Sequence, residues 1–400
     1  MKRVIKHPLT ILWAGIFSIG IIGLTVWEVY SHFYAYTDDA YVEGNKIMIM
    51  PLHDGFITDI YTDDTFLVKQ GDVIVQLDET DAKLAYENEK ALLAKVVREV
   101  CQTFHRAFAY EADIEIKKAE LIKAKQDWNH RIAVVAQGGV SVENMEHAVA
   151  ALRANYYSLK ETESLYYKEA AVIQGRSISD NPFVKSQIEK VKIAWVNLYR
   201  CKIYAPVDGL IAQRNAQVGM WFKAGDPLMS LIPLDQIWVN ANFKETQMKR
   251  MRIGQKVKIT SDLYGRGIVY EGKIVGLPGG AGNAFSLLPP QNLSGNWIKI
   301  VQRLPVRVAL DPEVLKKHPL RIGLSMEATA KLKSSNEGLV PTTTKGSPHY
   351  TTQIFTKEEE GVDQIVHLIL DTNIDQSLQA FRERPFVTSE VASIDIDDAS

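Results

Sequence analysis

Two stretches decide the architecture: Pro51-Leu52-His53-Asp54-Gly55-Phe56-Ile57 followed by Lys69-Gln70-Gly71-Asp72-Val73-Ile74, and Pro206-Val207-Asp208-Gly209-Leu210-Ile211 followed by Lys223-Ala224-Gly225-Asp226-Pro227-Leu228. From the Asp-Gly to the Lys-x-Gly-Asp the step is 15 residues in both copies. Each copy reads as short strands punctuated by glycine turns, with apolar residues alternating after the Gly-Asp. One half of this size cannot bury its apolar face alone, whereas two halves folded together can. The halves resemble those of the lipoyl/biotinyl sandwich. In a carrier of that type a tight turn bearing the modified lysine joins them. Here about 120 residues stand in that place, so no lysine is presented for modification, and Lys69 and Lys223 are expected at strand ends.

The inserted segment has a helical period. Leu93, Val100, Ala107, Ile114, Leu121, Trp128 and Val135 recur at an unbroken seven-residue step. Val97, Phe104 and Ile132 supply the second seam position, interrupted by Glu111, Lys118 and Lys125. A heptad stripe of this kind predicts paired, supercoiled helices. On the second arm Val142, Met145, Val149, Leu152, Tyr156 and Leu159 alternate steps of three and four, continued by Tyr166, Ala170 and Ile173. Between the arms, Gly138 and Gly139 stop one helix and Ser141 can cap the next. The prediction is an antiparallel hairpin with arms of about 55 residues, roughly 80 Å at 1.5 Å per residue. A kink or loop-out is expected at 175–182, after which Val184, Ile188, Val191, Trp195 and Leu198 resume helical spacing. Facing residues should add to roughly 278 with the tip near residue 139, which keeps Cys101 and Cys201 about 30 Å apart and unbridged.

Working outward towards the N-terminus, Leu9 to Trp27 carries no charge. At about 28 Å this segment matches the hydrocarbon core of a bilayer, and it is longer than the apolar region of a cleaved signal peptide. Lys2, Arg3 and Lys6 precede it, while Glu28, Asp38, Asp39 and Glu43 follow. The positive-inside rule places the N-terminus in the cytoplasm and the bulk of the chain outside it. After Pro233 the pattern turns β-rich. Strands are expected from Ile237 to Gln247, Met251 to Ile259, Tyr270 to Leu277, Asn296 to Gln302, Pro305 to Leu310 and Met326 to Leu332, as in a small closed barrel. The Gly-, Pro- and Asn-rich run from Gly279 to Gly295 reads as a loop. Its glycines lack the GK[ST] and the strand-to-helix context of a phosphate loop.

Charge is nearly balanced, with 46 Lys+Arg against 48 Asp+Glu, so no basic field points to nucleic acid. Two cysteines build no disulfide framework, and the nine histidines fall in no metal-ligand spacing. Ser141, Cys101 and Cys201 have no activating context, which argues against an enzyme. Asp38-Asp39 and Asp63-Asp64 read as solvated turn residues. No cofactor is implied.

Several longer blocks carry a family resemblance: Thr37-Asp38-Asp39-Ala40-Tyr41-Val42, Val239 to Gln247, Ala284 to Asn292 with Gly295 to Lys299, Val301 to Val306, and Leu320 to Ser325. With these in order from the anchor to about residue 332, the chain resembles the HlyD/EmrA branch of periplasmic adaptor (membrane fusion) proteins. The resemblance implies an α+β fold arranged as follows: a cytoplasmic stub 1–8, a transmembrane helix 9–30, a linker and first barrel strand 31–45, lipoyl-like halves 46–78 and 202–234, a helical hairpin 79–201 with its tip at 137–144, a β-barrel and membrane-proximal region 235–335, and a tail 336–400. It implies a single-pass protein of the Gram-negative inner membrane, largely periplasmic and self-associated into a ring. That protein would couple an inner-membrane drug/proton antiporter of the major facilitator superfamily to a TolC-type outer-membrane channel. An adaptor of an ABC-driven secretion system is the alternative; the Phe285 to Asn292 block favours drug efflux. The family's channel-docking tip maps onto Arg131, Gly138, Gly139 and Ser141. The tail departs most from the family, and holds one amphipathic candidate, Ile365 to Phe381.

Overall fold

The computed structural model describes residues 8–135, 138–173, 175–277, 279–280, 301–332, 338, 340, 348 and 350–385. The chain divides into two units: Met1–Gln76 with Ile203–Ile354, and Leu77–Lys202 with Phe355–Ser400.

The first unit begins with helix α1 (Pro8–Phe33) and strand β1 (Tyr34–Gly44). Side chains on α1 are described from Leu12 onward, leaving out 29 and 31. Among the described residues no helix is long and apolar enough to cross a membrane. Strand β1 joins β10 (Ile237–Lys244), β11 (Lys256–Ser261), β12 (Gly265–Gly276), β13 (Arg303–Leu310) and β14 (Ser325–Lys331) in a closed barrel of order β1-β10-β13-β12-β11-β14. Inward positions alternate with outward ones, as closure demands. Ile237, Val239, Ala241 and Phe243 point in from β10, Val306 and Val308 from β13, and Met326, Ala328 and Ala330 from β14. Small residues on β1 and β14 leave room for Phe243 and Tyr270. The Tyr270 hydroxyl donates to His318 O at 3.0 Å, and burial pushes its pKa up to about 12.

Three sequence expectations change here. Asp38 and Asp39 lie on a strand rather than in a turn, at a bulge where the β1–β14 register shifts between Thr37 and Ala40. Arg303 pairs with Asp39 at 3.0 Å, and Asn242 Nδ2 donates to the same carboxylate. The strand expected to reach Gln247 stops at Lys244 and turns into a 3-10 helix, Glu245–Arg250, because the Gln247 amide oxygen accepts from Lys244 N. Strand β12 starts five residues earlier than expected, since it pairs with β11 as a hairpin. The expected strand at 296–302 and the 279–295 loop fall largely outside the described residues.

The sandwich consists of β2 (Ile47–Ile49), β3 (Gly55–Ile60), β4 (Leu67–Val68) and β5 (Val73–Leu77) from the first repeat, with β6 (Lys202–Tyr204), β7 (Gly209–Ala212), β8 (Trp221–Phe222) and β9 (Met229–Ile232) from the second. Each sheet draws strands from both repeats, in the orders β2-β9-β7-β4 and β6-β5-β3-β8. The repeated residues bond reciprocally. Asp54 Oδ1 accepts from Ala224 N at 2.8 Å, and Asp208 Oδ1 accepts from Gln70 N at 2.7 Å. Within each turn, Asp72 and Asp226 accept from the amides of Lys69 and Lys223. Gly71 and Gly225 sit at φ of 90° and 88°, where a Cβ is strained. Their amides reach Ala205 O and Pro51 O of the opposite repeat. Asp63 and Asp64 hold Arg214: Arg214 Nε donates to Asp63 at 2.7 Å and Arg214 N to Asp64 at 2.9 Å. The Arg214 hydrogen bond depresses the Asp63 pKa.

The second unit is helical. Helix α2 (Thr80–Val135) runs 56 residues, about 84 Å, against α3 (Val142–Ile173) and α4 (Pro182–Tyr199). Leu93, Val97, Val100, Phe104, Ala107, Ile114 and Leu121 form its buried seam, facing Leu152, Leu159, Tyr166, Ala170 and Ile173. Arg106 pairs with Glu169 and Arg131 bonds Asn144 O, so facing numbers add to 275. Cys101 and Cys201 are buried, unbridged thiols. Burial raises the pKa of both.

Between α3 and α4 the chain breaks at 175–181. Gly175 takes φ 72°, and Asn181 caps α4 by accepting from Phe183 N ahead of Pro182. The amphipathic C-terminal candidate is two elements, helix α6 (Val362–Asn373) and a 3-10 turn at Gln376–Phe381. The intervening helix α5 (Pro312–Lys317) belongs to the first unit. Val366, Leu370, Ile374 and Leu378 are buried with Leu93, Phe104, Ile178 and Val191 in one core. Each such side chain contributes about 1.5–3 kcal/mol on burial. Glu358, 9% exposed at its side chain, accepts from Arg200 Nη2 at 2.6 Å, and its carbonyl accepts from the Trp195 indole at 3.0 Å.

Candidate docking site at the hairpin tip

At the end of α2 the backbone folds back on itself over very few residues. Gly138 N donates to Val135 O at 3.0 Å and Gly139 N to Val134 O at 3.2 Å, satisfying carbonyls that the helix end leaves open. Gly138 holds φ 73°, the left-handed geometry glycine adopts without strain. A Cβ on Gly139 would lie 3.3 Å from Val134 Cγ1, so that position needs little bulk. Ser141 caps α3: its hydroxyl accepts from Asn144 N at 3.3 Å and its carbonyl from Met145 N. Glu143 sits in the first turn, where a carboxylate complements the helix dipole.

Arg131 ties the two arms together. Its Nη1 donates to Asn144 O at 2.8 Å across the hairpin, and Nη2 pairs with Asp127 at 3.1 Å on its own helix. With 35% of the side chain exposed, its guanidinium serves the tip's own geometry as well as its surface. The structure therefore places Gly138, Gly139 and Ser141 in the turn and its cap, with Arg131 reaching across from α2 to hold the two arms together.

Sequence reasoning assigned Val135, Ile132 and Val142 to the packed seam. The structure leaves them open: Val142 is 76% exposed, with Ile132, Val134 and Val135 also exposed. The seam loses its burial here because the arms end and no further turn of helix covers these side chains. An apolar rim around a tight glycine turn results. Position alone was the available signal, since these are the periodic residues nearest the glycines on either arm.

Among the described residues no group of three or more His, Cys, Asp or Glu could hold a metal ion. A solvated turn with an apolar rim and a few fixed polar groups is suited to contact with another surface.

Residues 80–201 match the family profile "EMRA, alpha-helical hairpin domain". The chain is 44% identical over 304 residues to the multidrug export protein EmrA of Escherichia coli K12, covering 76% of this chain and 78% of that protein. It is 38% identical over 366 residues to the probable multidrug resistance protein EmrK of the same strain, covering 88% of this chain and 95% of that one. A solved structure described as that of the periplasmic adaptor protein EmrA aligns over 75% of this chain and 99% of that one, with a TM-score of 0.38 and 18% identity. By the extent and level of its identity with these two E. coli proteins, and by its hairpin, the chain belongs to the EmrA family of membrane fusion proteins.

Proposed function

We propose that this protein is the periplasmic adaptor of a tripartite drug efflux system, joining an inner-membrane antiporter of the major facilitator superfamily to a TolC-type outer-membrane channel. The observation that carries this reading is the 56-residue arm ending in an exposed, apolar-rimmed glycine turn, within a chain 44% identical to a multidrug export protein. A rod of about 84 Å is far longer than a compact domain requires, and its end offers a surface for contact.

Helix α1 is proposed as the anchor. Leu12, Trp13, Ile16, Phe17, Ile19, Ile22, Leu24, Val26 and Trp27 are exposed along it, an apolar surface that water does not tolerate on a monomer. The uncharged run from Leu9 to Trp27 and the basic residues before it support a single span with the N-terminus in the cytoplasm. The chain after about residue 30 is then periplasmic, and the protomers are proposed to gather into a ring.

Docking is assigned to the rim and the turn: Val142, Val135, Gly138 and Gly139, held by Arg131 and Ser141. The test is a photo-crosslinker at Val142 in the native membrane, combined with Val142→Asp and Gly139→Arg in a drug-susceptibility assay. Adducts with an outer-membrane channel, and loss of resistance at unchanged adaptor level, are expected. Adducts confined to other proteins, or full resistance with both substitutions, would refute the assignment. Co-purification of an ATPase instead of an antiporter would place the chain in a secretion system.

A further inference from the structure

The break in the second arm is held from outside by the C-terminal segment. Ile178 N donates to Phe381 O at 2.9 Å, Ser179 N to Arg382 O at 3.2 Å, and Ser179 Oγ to the same carbonyl at 2.7 Å. The Phe381 ring lies 5.9 Å from Phe104 and 5.7 Å from Phe108, both on α2. One residue of the tail thus grips the break through its carbonyl and the opposite arm through its ring.

The other end of the segment is fixed separately. Glu358 receives Arg200 and Trp195 near the C-terminus of α4, and Asp363 pairs with Lys192 at 2.9 Å. Helix α4 is therefore clasped at both ends, while α6 lies along it and α2. Within the break itself, the bond across from α4 to α3 is that of Asn181 Nδ2 to Val172 O at 3.2 Å, beside the local bonds of Ser177 and Asp180. Gly175 at φ 72° and the run 175–181 outside either helix supply the local freedom that a joint needs once its outer bonds are removed.

We propose that residues 355–385 are a latch on this joint: seated, they hold α3 and α4 in fixed register along the continuous α2; released, 175–181 becomes a hinge between the two halves of the second arm. This rests on structure within the helical unit and holds whatever the tip contacts.

The test uses the full chain in detergent, with amide hydrogen exchange and a spin-label pair at Ser164→Cys on α3 and Lys190→Cys on α4, both exposed, with Cys101 and Cys201 replaced by alanine. In Phe381→Ala combined with Leu378→Ala, exchange at Ile178 and Ser179 should accelerate at least about ten-fold, while amides around Leu121 stay unchanged. The label-to-label distance distribution should broaden. Ser179→Ala, which leaves the apolar packing intact, should accelerate the same amides a few-fold and serves if the double variant fails to fold. An unchanged distance distribution once α6 has lost its protection would overturn the latch. So would simultaneous loss of protection along the whole hairpin, which would make the tail ordinary core.

Discussion

Substituting Asp208 by alanine removes the acceptor for Gln70 N at 2.7 Å and leaves the equivalent bond from Ala224 N to Asp54 in place. A hydrogen bond to a charged acceptor is worth about 1.5–3 kcal/mol. Gln70 lies at the surface, where water competes, so the lower end, about 1.5 kcal/mol, is the appropriate figure. That equals roughly a ten-fold change in a local opening equilibrium. The reporters are the amides of Gly71, bonded to Ala205 O, and Gly225, bonded to Pro51 O, in hydrogen exchange. Asp208→Ala should speed Gly71 about ten-fold and leave Gly225 unchanged; Asp54→Ala should do the reverse. Asp208→Asn, which retains a neutral acceptor, should fall between. If both glycines respond equally to either substitution, or neither responds, the aspartates are not the cross-repeat caps argued here. The shared 15-residue spacing would then need another explanation.

Leu121→Ala should cost about 2–5 kcal/mol, because Leu121 is buried among Ile114, Leu152 and Leu159, and should lower the hairpin's thermal midpoint by circular dichroism; an unchanged midpoint would contradict the seam. The Asp375 pKa is lowered chiefly by the backbone and side-chain hydrogen bonds of Ser377, then by His105. Its contribution to stability is therefore present above the usual aspartate range near 3.8 and lost as pH falls through the depressed value; Asp375→Asn should remove that acid-side dependence in melts across pH 2–5. Both cysteines should titrate as free thiols only after denaturation, so non-reducing mass spectrometry that found a Cys101–Cys201 bond would overturn the antiparallel register.

The hairpin and the β domains could be read from the chain because their signals are local or periodic. The Asp-Gly and Lys-x-Gly-Asp pairs recur since each supplies a carboxylate cap and a left-handed glycine to the other half. The heptads recur since α2 must present one stripe to α3. At the tip, Gly138 and Ser141 could be read for the same reason: a turn and a cap involve neighbours in sequence. What could not be read depends on distant partners. The period of α6 shows that it has an apolar face, but not that this face lies on Leu93 and Val191. Asp38 and Asp39 look like a turn until Arg303, 264 residues later, occupies the bulge. Val142 fits the heptad perfectly well, and only the end of the opposing arm leaves it in water.

The order of strands in the two sheets has a consequence for synthesis and export. Barrel strand β1 must wait for β10 and β14, and sandwich strands β2 to β5 must wait for β6 to β9, while the tip-ward parts of α2 and α3 pack on each other. Up to the end of the barrel the chain is nested like brackets with the hairpin innermost, and the C-terminal helix α6 then returns to the hairpin's base. Closing a loop of more than a hundred residues is costly for a flexible chain, but two long helices zipping antiparallel from the Gly138 turn return Leu77 and Lys202 to the same end by purely local steps. The hairpin is thus also the device that lets the two halves of the sandwich, and after them the strands of the barrel, find each other.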